Sequence, residues 1–208
     1  MDDSEAWEAF PNKRKWFNKL WLSSKLGYDC GPCGVAPTKS AYYVVRPIYN
    51  ISGMGAGARV QWIESNDYTR VEPGYFWCEY FNGSQYSVTY ENRNSKWEPI
   101  NSWKAFRNVK SLSKFDAWVR TDYSPELPSL FNDLFEIKRI NVEFIEDKPI
   151  ETHLRDSPDP NYDILIPVWE DFEEKEIDKL IQMGYTYLES YDDADGFVKP
   201  ARLGFLVK

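Results

Sequence analysis

The stretch that decides the fold is residues 43–60, which read Tyr43-Val-Val-Arg-Pro-Ile-Tyr-Asn-Ile-Ser-Gly-Met-Gly-Ala-Gly-Ala-Arg-Val60. It begins as a β-branched strand that reaches Arg46, and Pro47 then interrupts regular strand pairing. Three glycines follow at alternate positions, Gly53, Gly55 and Gly57. Glycine lets other groups approach the backbone closely, and successive free N–H groups make a concavity that suits phosphate oxygens. The stretch therefore predicts either an anion-binding loop or a tight hairpin whose glycines serve only the turn.

The composition limits the classes of protein to which the chain can belong. Of its 208 residues, 42 % are hydrophobic and 17 % aromatic, which suffices for a sizeable core in one large domain or two small ones. The net charge of −8 argues against a general nucleic-acid-binding or anionic-membrane surface. We expect no membrane span and no secretory signal. Three cysteines form no disulfide framework, so we expect a cytoplasmic protein.

The apolar pattern predicts an α+β fold with antiparallel sheets and flanking helices. Residues 1–12 are expected to form a frayed or capping arm and residues 92–102 a loop. The Asn-Gly pair at 82–83 predicts a hairpin turn, and residues 106–119 are ambiguous. Helices are predicted at 13–26, 125–135 and 173–183. Strands are predicted at 60–63, 75–81, 85–91, 137–145, 149–155, 163–169, 185–191 and 201–207.

Residues 30–33, Cys30-Gly-Pro-Cys33, form a Cys-x-x-Cys motif. Such a pair can be half of a zinc site, a redox couple, or a Gly-Pro turn flanked by small buried side chains. A four-ligand zinc site needs a second pair, and only Cys78 and His153 remain in the chain. The turn is the favoured interpretation.

A second polar cluster lies within residues 141–155, which predict a hairpin. Side chains alternate between the faces of a strand, so Glu151, His153 and Arg155 are expected on one face. Glu143 approaches this row across the hairpin. Two carboxylates and an imidazole suit Mg²⁺ or Mn²⁺ carrying nucleotide phosphates, and an arginine can stabilise a transferred phosphoryl group. The alternative is a solvated polar face with cross-strand ion pairs.

Together the two clusters follow the motif order of a known family, because residues 18–159 resemble the ATP-grasp superfamily of nucleotide-binding ligases. Val44-Val-Arg-Pro47 is similar to its Val-Val-Lys-Pro strand, and Glu151-Thr-His153 to its Glu-x-Asn metal motif. The other segments that carry the resemblance are Asn18-Lys19-Leu20, Gly34-Val-Ala-Pro37, Ser52-Gly-Met-Gly-Ala-Gly57 and residues 76–81.

The resemblance implies that ATP and Mg²⁺, with Mn²⁺ as an alternative, are the cofactors. It assigns Lys19 and Arg46 to the phosphates. The glycine-rich loop over the phosphates would comprise Ser52, Gly53, Met54, Gly55 and Gly57. The hinge strand beside adenine would contribute Glu79, Tyr80 and Phe81. The metal ligands would be Glu143, Glu151 and His153, and the catalytic residues Lys19 and Arg155. Arg46 and Glu151 must then face the same space.

The resemblance also implies three parts within one compact unit. Residues 1–40 would form an arm and helix, residues 41–90 the glycine-loop and hinge subdomain, and residues 91–208 an α+β subdomain with the metal site. The separate N-terminal substrate domain of the family has no counterpart in residues 1–18. Such a compact version suits a phage or other small accessory protein.

Two functions follow from these expectations. The first is an ATP-dependent carboxylate–amine ligase that works through an acyl phosphate, with an unknown carboxylate or protein as acceptor. The second is a binding or structural protein that keeps the fold and acts through a protein partner or a second copy of itself. Under the ligase hypothesis, Glu151→Gln is expected to abolish metal-dependent nucleotide turnover and to leave the fold largely intact, because an exposed carboxylate contributes little to stability.

Overall fold

The structure, a computed structural model, describes residues 1–49, 55–107, 111–189 and 200–208. The α-helices of this part are α1 (Asp3–Ala9), α2 (Lys19–Lys25) and α3 (Glu174–Gln182), and the 3-10 helices span Pro11–Phe17 and Ser129–Leu134. The first strands are β1 (Cys30–Pro32), β2 (Ala41–Pro47), β3 (Arg59–Ile63), β4 (Tyr75–Glu79), β5 (Gln85–Asn92) and β6 (Trp97–Phe106). The later strands are β7 (Ala117–Arg120), β8 (Arg139–Ile145), β9 (Lys148–His153), β10 (Ile164–Trp169), β11 (Thr186–Glu189) and β12 (Arg202–Val207).

These strands form two antiparallel sheets. The small sheet has the order β1-β4-β2-β3, and the large sheet has the order β11-β12-β10-β7-β6-β5-β8-β9. The α+β architecture with antiparallel sheets is therefore confirmed. None of the helices that the structure describes has the length and apolarity needed to span a bilayer. The division into three parts stays a prediction.

The predicted pairing around the glycine-rich segment is confirmed. Strands β2 and β3 are antiparallel neighbours, with Val44 opposite Val60. Of the predicted loop residues, Ser52, Gly53 and Met54 lie outside the described residues. Gly57 has a φ of 75°, and a Cβ there would come within 2.5 Å of the Tyr75 hydroxyl. Glycine is thus required at this position both by backbone conformation and by space.

The N-terminal residues form a helix that packs on the core, so of the two alternatives for residues 1–12 the frayed arm is wrong. Helix α1 begins with a capping box, in which the Asp2 side chain accepts from the Glu5 N–H and the Glu5 side chain accepts from the Asp2 N–H. Asp3 and Ala6 are buried. The helix is held by local capping and by the contacts of its buried face, which apolar periodicity alone does not indicate.

The helix predicted at 13–26 is divided in two at Asn18. The Asn18 side chain accepts from the Trp21 N–H at 2.8 Å and so begins a new helix, α2. The Lys19 N–H donates to the Ile48 carbonyl at 2.9 Å, which ties the start of α2 to the end of β2. Residues 125–135 likewise contain a 3-10 helix rather than an α-helix.

The Asn-Gly pair at 82–83 does not close a hairpin, because β4 belongs to the small sheet and β5 to the large one. Residues 80–84, called the linker below, instead connect the sheets, and the Ser84 N–H donates to Glu146 at 2.6 Å. The loop predicted at 92–102 is also wrong, since β6 occupies most of it. Pairing of β6 with β5 and β7 outweighs its weak intrinsic strand preference.

The largest hydrophobic core lies between one face of the large sheet and the N-terminal helices. Alternate residues of β8, Ile140, Val142 and Phe144, are fully buried in it. Residues between them on β8, including Glu143, consequently point to the opposite face. That face is directed toward the small sheet, and Glu143 on it lines the candidate site. Strands and helix predicted after residue 137 are confirmed within a few residues of their bounds.

Candidate functional site

A cleft of about 1370 Å³ lies between the small and the large sheet. The small sheet lines it with β2, β3 and β4, and the large sheet with β5, β6, β8 and β9, while the linker borders it where the chain crosses between sheets. Eight of the residues predicted for the site line this cleft, namely Lys19, Arg46, Gly55, Glu79, Tyr80, Phe81, Glu143 and Glu151. Gly57, His153 and Arg155 do not line it.

Lys19 and Glu151 form an ion pair in the cleft. The Lys19 Nζ lies 2.9 Å from Glu151 Oε1, and the two side chains are only 6 % and 12 % exposed. Lys19 is the first residue of α2, and Glu151 belongs to β9. The pair therefore joins the N-terminal helices to the edge of the large sheet. Because it is shielded from water, its charges interact more strongly than a surface pair would.

Arg46 reaches across from the small sheet toward the same place. Its Nη2 donates to the Ile150 carbonyl oxygen at 3.0 Å, and its guanidinium carbon lies 5.3 Å from the centre of the Phe76 ring. Its buried Nε has no hydrogen-bond partner in the described part of the chain. Arg46 and Glu151 thus face one space, as a nucleotide site requires, and Arg46 keeps an unused donor.

Glu143 and Glu151 are directly opposite each other in the β8–β9 pairing. The Gln85 amide donates to Glu143 Oε2 at 2.9 Å. Burial and the neighbouring Glu151 carboxylate raise the pKa of Glu143. Burial acts on Glu151 as well, but the charges of Lys19, His153 and Arg46 outweigh it and lower the pKa of Glu151. The site therefore holds one readily ionised carboxylate beside one that resists ionisation.

This carboxylate pair has the chemistry that Mg²⁺ or Mn²⁺ selects. Hard divalent cations prefer carboxylate oxygens, and a cation between Glu143 and Glu151 would relieve the repulsion that raises the pKa of Glu143. Within the described residues, no group of three or more His, Cys, Asp or Glu side chains is arranged to hold a metal ion. The predicted ligand set of Glu143, Glu151 and His153 stays a prediction.

His153 and Arg155 contact Asp3 on α1 and do not line the cleft. The His153 Nδ1 lies 2.9 Å from Asp3 Oδ2, and the Arg155 Nη2 donates to the same oxygen at 2.7 Å. Burial would raise the pKa of Asp3, but the charges of His153 and Arg155 outweigh it and hold that pKa far below its usual value. Burial lowers the pKa of His153, but the neighbouring Asp3 carboxylate raises it by more, so the pKa is higher than that of a free histidine. Asp3 is therefore ionised in the folded chain.

The predicted hinge residues lie where the cleft meets the linker. The Glu79 N–H donates to the Asp29 carbonyl oxygen at 2.8 Å. The Phe81 ring makes an edge contact with Tyr28, with a centroid separation of 4.8 Å, and Lys148 Nζ lies 5.3 Å from its centre. The hinge thus forms an aromatic end of the cleft, although one of its backbone donors is already used.

The cleft-lining residues that were not singled out from the sequence include Gln85, Lys104 and Arg107. The Arg107 Nη2 donates to Gln85 Oε1, and its guanidinium carbon lies 4.6 Å from the centre of the Phe115 ring. Burial lowers the pKa of Arg107. Strand β6 was not recognised, so Lys104 on this strand and Arg107 directly after it could not be placed at the cleft. Asp3 was missed too, although the Asp2–Glu5 capping box was visible in the sequence.

Cys30 and Cys78 are opposite each other in the β1–β4 pairing, and all three cysteines are free. Burial raises the pKa of Cys30 to about 11. Its thiol is therefore neutral at physiological pH, whereas a reactive cysteine needs the thiolate. A Cβ at Gly31 would come within 2.7 Å of the Trp77 ring, which explains a glycine between the cysteines. The predicted Gly-Pro turn is wrong, because Gly31 and Pro32 belong to strand β1, and Cys30 and Cys33 are half-buried rather than buried.

Comparison with known proteins finds likeness in structure. No family model matches the chain, and no curated protein does. One similar structure is carboxyaminoimidazole ribonucleotide synthase from Aspergillus clavatus, complexed with ATP. The match covers 99 % of this chain and 74 % of the synthase chain, at 10 % sequence identity and a TM-score of 0.57. Another is N5-carboxyaminoimidazole synthetase from Staphylococcus aureus, complexed with ADP. This match covers 93 % of the present chain and 67 % of the synthetase chain, at 10 % sequence identity and a TM-score of 0.56.

The chain spans less than half of other proteins that it matches. It covers 47 % of an ATP-grasp superfamily protein from Archaeoglobus fulgidus, at 15 % identity and a TM-score of 0.39. It covers 41 % of L-amino acid ligase from Bacillus licheniformis, at 11 % identity and a TM-score of 0.45. These two scores are too low to support an argument. The chain has an ATP-grasp-like α+β fold, and the better-matched structures hold adenine nucleotides.

Proposed function

We propose that the cleft binds an adenine nucleotide, with its phosphates between Lys19 and Arg46. The observation that carries this proposal is the convergence of Lys19, Arg46, Glu143 and Glu151 on one cleft from four separate elements. In a chain of net charge −8, two cations at one buried place suit an anionic ligand. The unused Nε of Arg46 adds a donor for a phosphate oxygen.

The carboxylates Glu143 and Glu151 would hold a Mg²⁺ or Mn²⁺ ion that accompanies the phosphates. Two protein carboxylates together with phosphate oxygens satisfy such an ion. When bound, the ion neutralises charge on the phosphates and polarises the bond to the transferred group. Gln85 holds Glu143 by its hydrogen bond, and Lys19 holds Glu151.

The adenine ring would lie at the linker end of the cleft, against Glu79, Tyr80 and Phe81. The neighbouring lining includes the apolar side chains of Val44 and Ile145. Apolar walls with few polar groups are typical of nucleobase pockets. The nucleotide would then extend from the linker toward Lys19 and Arg46.

The reaction that this arrangement supports best is ATP-dependent ligation of a carboxylate to an amine. A carboxylate oxygen of the acceptor attacks the γ-phosphorus and ADP leaves. An amine then attacks the acyl carbon and phosphate leaves, while the amine loses a proton. Lys19 would stabilise the phosphoryl charge. Arg155, which was assigned the same role from the sequence, is held by Asp3 and does not line the cleft. The acceptor is a carboxylate compound or a protein carboxylate.

The contact of Arg155 with Asp3 favours a second function, a nucleotide-binding module without turnover. The residue predicted to stabilise the acyl phosphate is ion-paired at 2.7 Å and only 9 % exposed. Such a protein would signal the bound nucleotide to a partner or to a second copy. It shares the nucleotide site with the ligase but carries out neither the phosphoryl transfer nor the attack of the amine.

Thermal unfolding with ADP and Mg²⁺ tests the nucleotide site. At a ligand concentration about a hundredfold above the dissociation constant, stabilisation should approach ~2.7 kcal/mol. Arg46→Ala should abolish most of this shift, whereas Arg70→Ala, at an exposed ion pair with Asp67, should not. Absence of any shift for the unmodified chain rejects the proposal. ADP release in the presence of candidate carboxylates and amines then separates the ligase from the binding module.

A further inference from the structure

We propose that Asp3 is a positioning residue of the nucleotide site, which acts through His153 on the Glu151 carboxylate. This inference rests on the proposed function, because it gives Glu151 a place beside the metal-bound nucleotide. It assigns helix α1 a role in the site although α1 does not line the cleft.

Each ring nitrogen of His153 has a carboxylate beside it, at hydrogen-bond distance for Nδ1 and only at ion-pair distance for Nε2. Nδ1 lies 2.9 Å from Asp3 Oδ2 and 3.1 Å from Oδ1, and Nε2 lies 3.6 Å from Glu151 Oε1. The imidazole therefore bridges two carboxylates, one on α1 and one in the cleft. An imidazole that is held at one nitrogen by a carboxylate has its tautomer and ring orientation set by that contact.

The same geometry decides which oxygen of Glu151 faces the cleft. Lys19 Nζ and His153 Nε2 both approach Oε1, at 2.9 and 3.6 Å. Oε2 has no polar partner among the residues that the structure describes. The two neighbours therefore hold the carboxylate by one oxygen and leave the other for a cation. Loss of either neighbour frees the carboxylate to rotate.

Asp3 is itself held in place. Arg155 Nη2 donates to Oδ2 at 2.7 Å, and the side chains of Asp3, His153 and Arg155 are 4 %, 8 % and 9 % exposed. The capping box begins α1 one residue earlier, and Ala6 packs fully buried in the main core. Asp3 is thus fixed by its neighbours. A residue that is fixed in this way can hold the side chain it contacts, here His153, in one orientation.

A purely structural role for Asp3 makes a different prediction. A buried ion cluster that only stabilises the fold would, when removed, lower stability and affect nucleotide binding equally with and without metal. A positioning role affects the part of the affinity that depends on the metal, because Lys19 and Arg46 contact phosphates directly while Glu151 acts through the ion.

Isothermal titration of the full chain with ADP, with and without Mg²⁺, distinguishes the two roles. For Asp3→Ala we expect the dissociation constant with Mg²⁺ to rise at least tenfold and the constant without Mg²⁺ to change less than twofold. Asp3→Asn, which keeps an acceptor oxygen for Nδ1, should lie between. The control is Glu8→Ala, on the same helix and in an exposed ion pair with Arg14. Formate should restore part of the Mg²⁺-dependent affinity of Asp3→Ala, by entering the space between His153 and Arg155.

A spectroscopic readout accompanies the titration, because His153 is the only histidine of the chain. At one fixed pH, ¹⁵N NMR of labelled histidine should show a protonated Nδ1 in the unmodified chain and an altered nitrogen pattern in Asp3→Ala. If Asp3→Ala does not fold, Asp3→Asn with the same two readouts decides.

The outcomes separate this inference from the proposed function. If the unmodified chain does not bind ADP with Mg²⁺, both are overturned. If it binds, and the Asp3 variants bind with unchanged Mg²⁺ dependence or lose affinity equally with and without the ion, only the positioning role is overturned. An unchanged histidine spectrum in Asp3→Ala overturns it as well.

Discussion

The guanidinium of Arg46 in the small sheet donates a hydrogen bond of 3.0 Å to the carbonyl oxygen of Ile150 in the large sheet. This contact joins the two walls of the cleft directly beside Glu151. The positive charge of Arg46, from the small sheet, therefore lies close enough to Glu151, on the large sheet, to help lower the pKa of that carboxylate.

Replacing Arg46 should weaken nucleotide binding. A charge-assisted hydrogen bond to a phosphate contributes about 2 kcal/mol, so Arg46→Ala should raise the dissociation constant for ADP roughly 30-fold. Arg46→Lys keeps the charge without the planar fork and should recover only part of the affinity. Calorimetric titration measures both constants. Equal affinity of Arg46→Ala and the unmodified chain would remove Arg46 from the site.

Glu151→Gln should destabilise the fold, which corrects the expectation from sequence that it leaves the fold intact. Glu151 is only 12 % exposed, and its replacement removes the carboxylate that pairs with the buried ammonium of Lys19. Breaking a buried pair on one side costs about 3 kcal/mol. Urea unfolding at neutral pH measures the change.

The matched control for this pair is the double variant Lys19→Met with Glu151→Gln. Removal of both charges should leave the protein more stable than Glu151→Gln alone, because no buried charge is then unpaired. If the loss of stability in the double variant equals the sum of the losses in Lys19→Met and Glu151→Gln, the two side chains do not interact.

Phe81→Asp should weaken binding of ATP by at least about tenfold, because it places a charge beside the proposed adenine pocket. The ring also contacts Tyr28, so a modest loss of stability should accompany the change. Tyr68→Asp is the control, since Tyr68 is 59 % exposed and does not line the cleft. Circular dichroism establishes that both variants are folded before affinity is measured. Unchanged affinity in folded Phe81→Asp would move the adenine elsewhere.

Asp133→Asn should reduce stability in a pH-dependent way. The hydrogen bond from Trp16, at 3.0 Å, chiefly lowers the pKa of Asp133 to about 2; burial opposes it, and Lys15 and Lys13 lower it further. Because the folded-state pKa is depressed, the stabilisation is present above the ordinary pKa of 3.8 and is lost as the pH falls toward 2. The difference in melting temperature between the two proteins should therefore be constant above about pH 5 and vanish near pH 2.

The control for the acid titration is Glu136→Gln, at the most exposed of the carboxylates near Lys13. It should lower stability little at any pH, because exposed ion pairs contribute little. A difference between Asp133→Asn and the unmodified chain that persists at pH 2 would show that the aspartate acts through packing alone.

Local patterns were sufficient for those parts of the site that lie within one hairpin. The β-branched run at Val44 predicts a strand and its pairing with β3. Period-two alternation along β8 and β9 places Glu143 opposite Glu151. In both cases the contacts join residues that are close in sequence, so the pattern carries the information.

Contacts between distant segments could not be predicted in the same way. Strand β6 has a polar sequence and weak strand preference, and it exists because β5 and β7 flank it; Lys104 and Arg107 were missed with it. The Asn-Gly pair at 82–83 has the local chemistry of a hairpin, but the next strand pairs with β8 in another sheet. Asp3 meets His153 across 150 positions, and no short-range pattern indicates that contact.

By itself, the sequence determined the α+β class, the strand before the glycine-rich segment and the row of polar side chains on β9. Only the tertiary structure decided how that row is used, with Glu151 in the cleft beside Lys19, and His153 and Arg155 held by Asp3. The physical reason is that side-chain direction follows from local backbone geometry, whereas the partner of a buried charge depends on which distant segment packs against it.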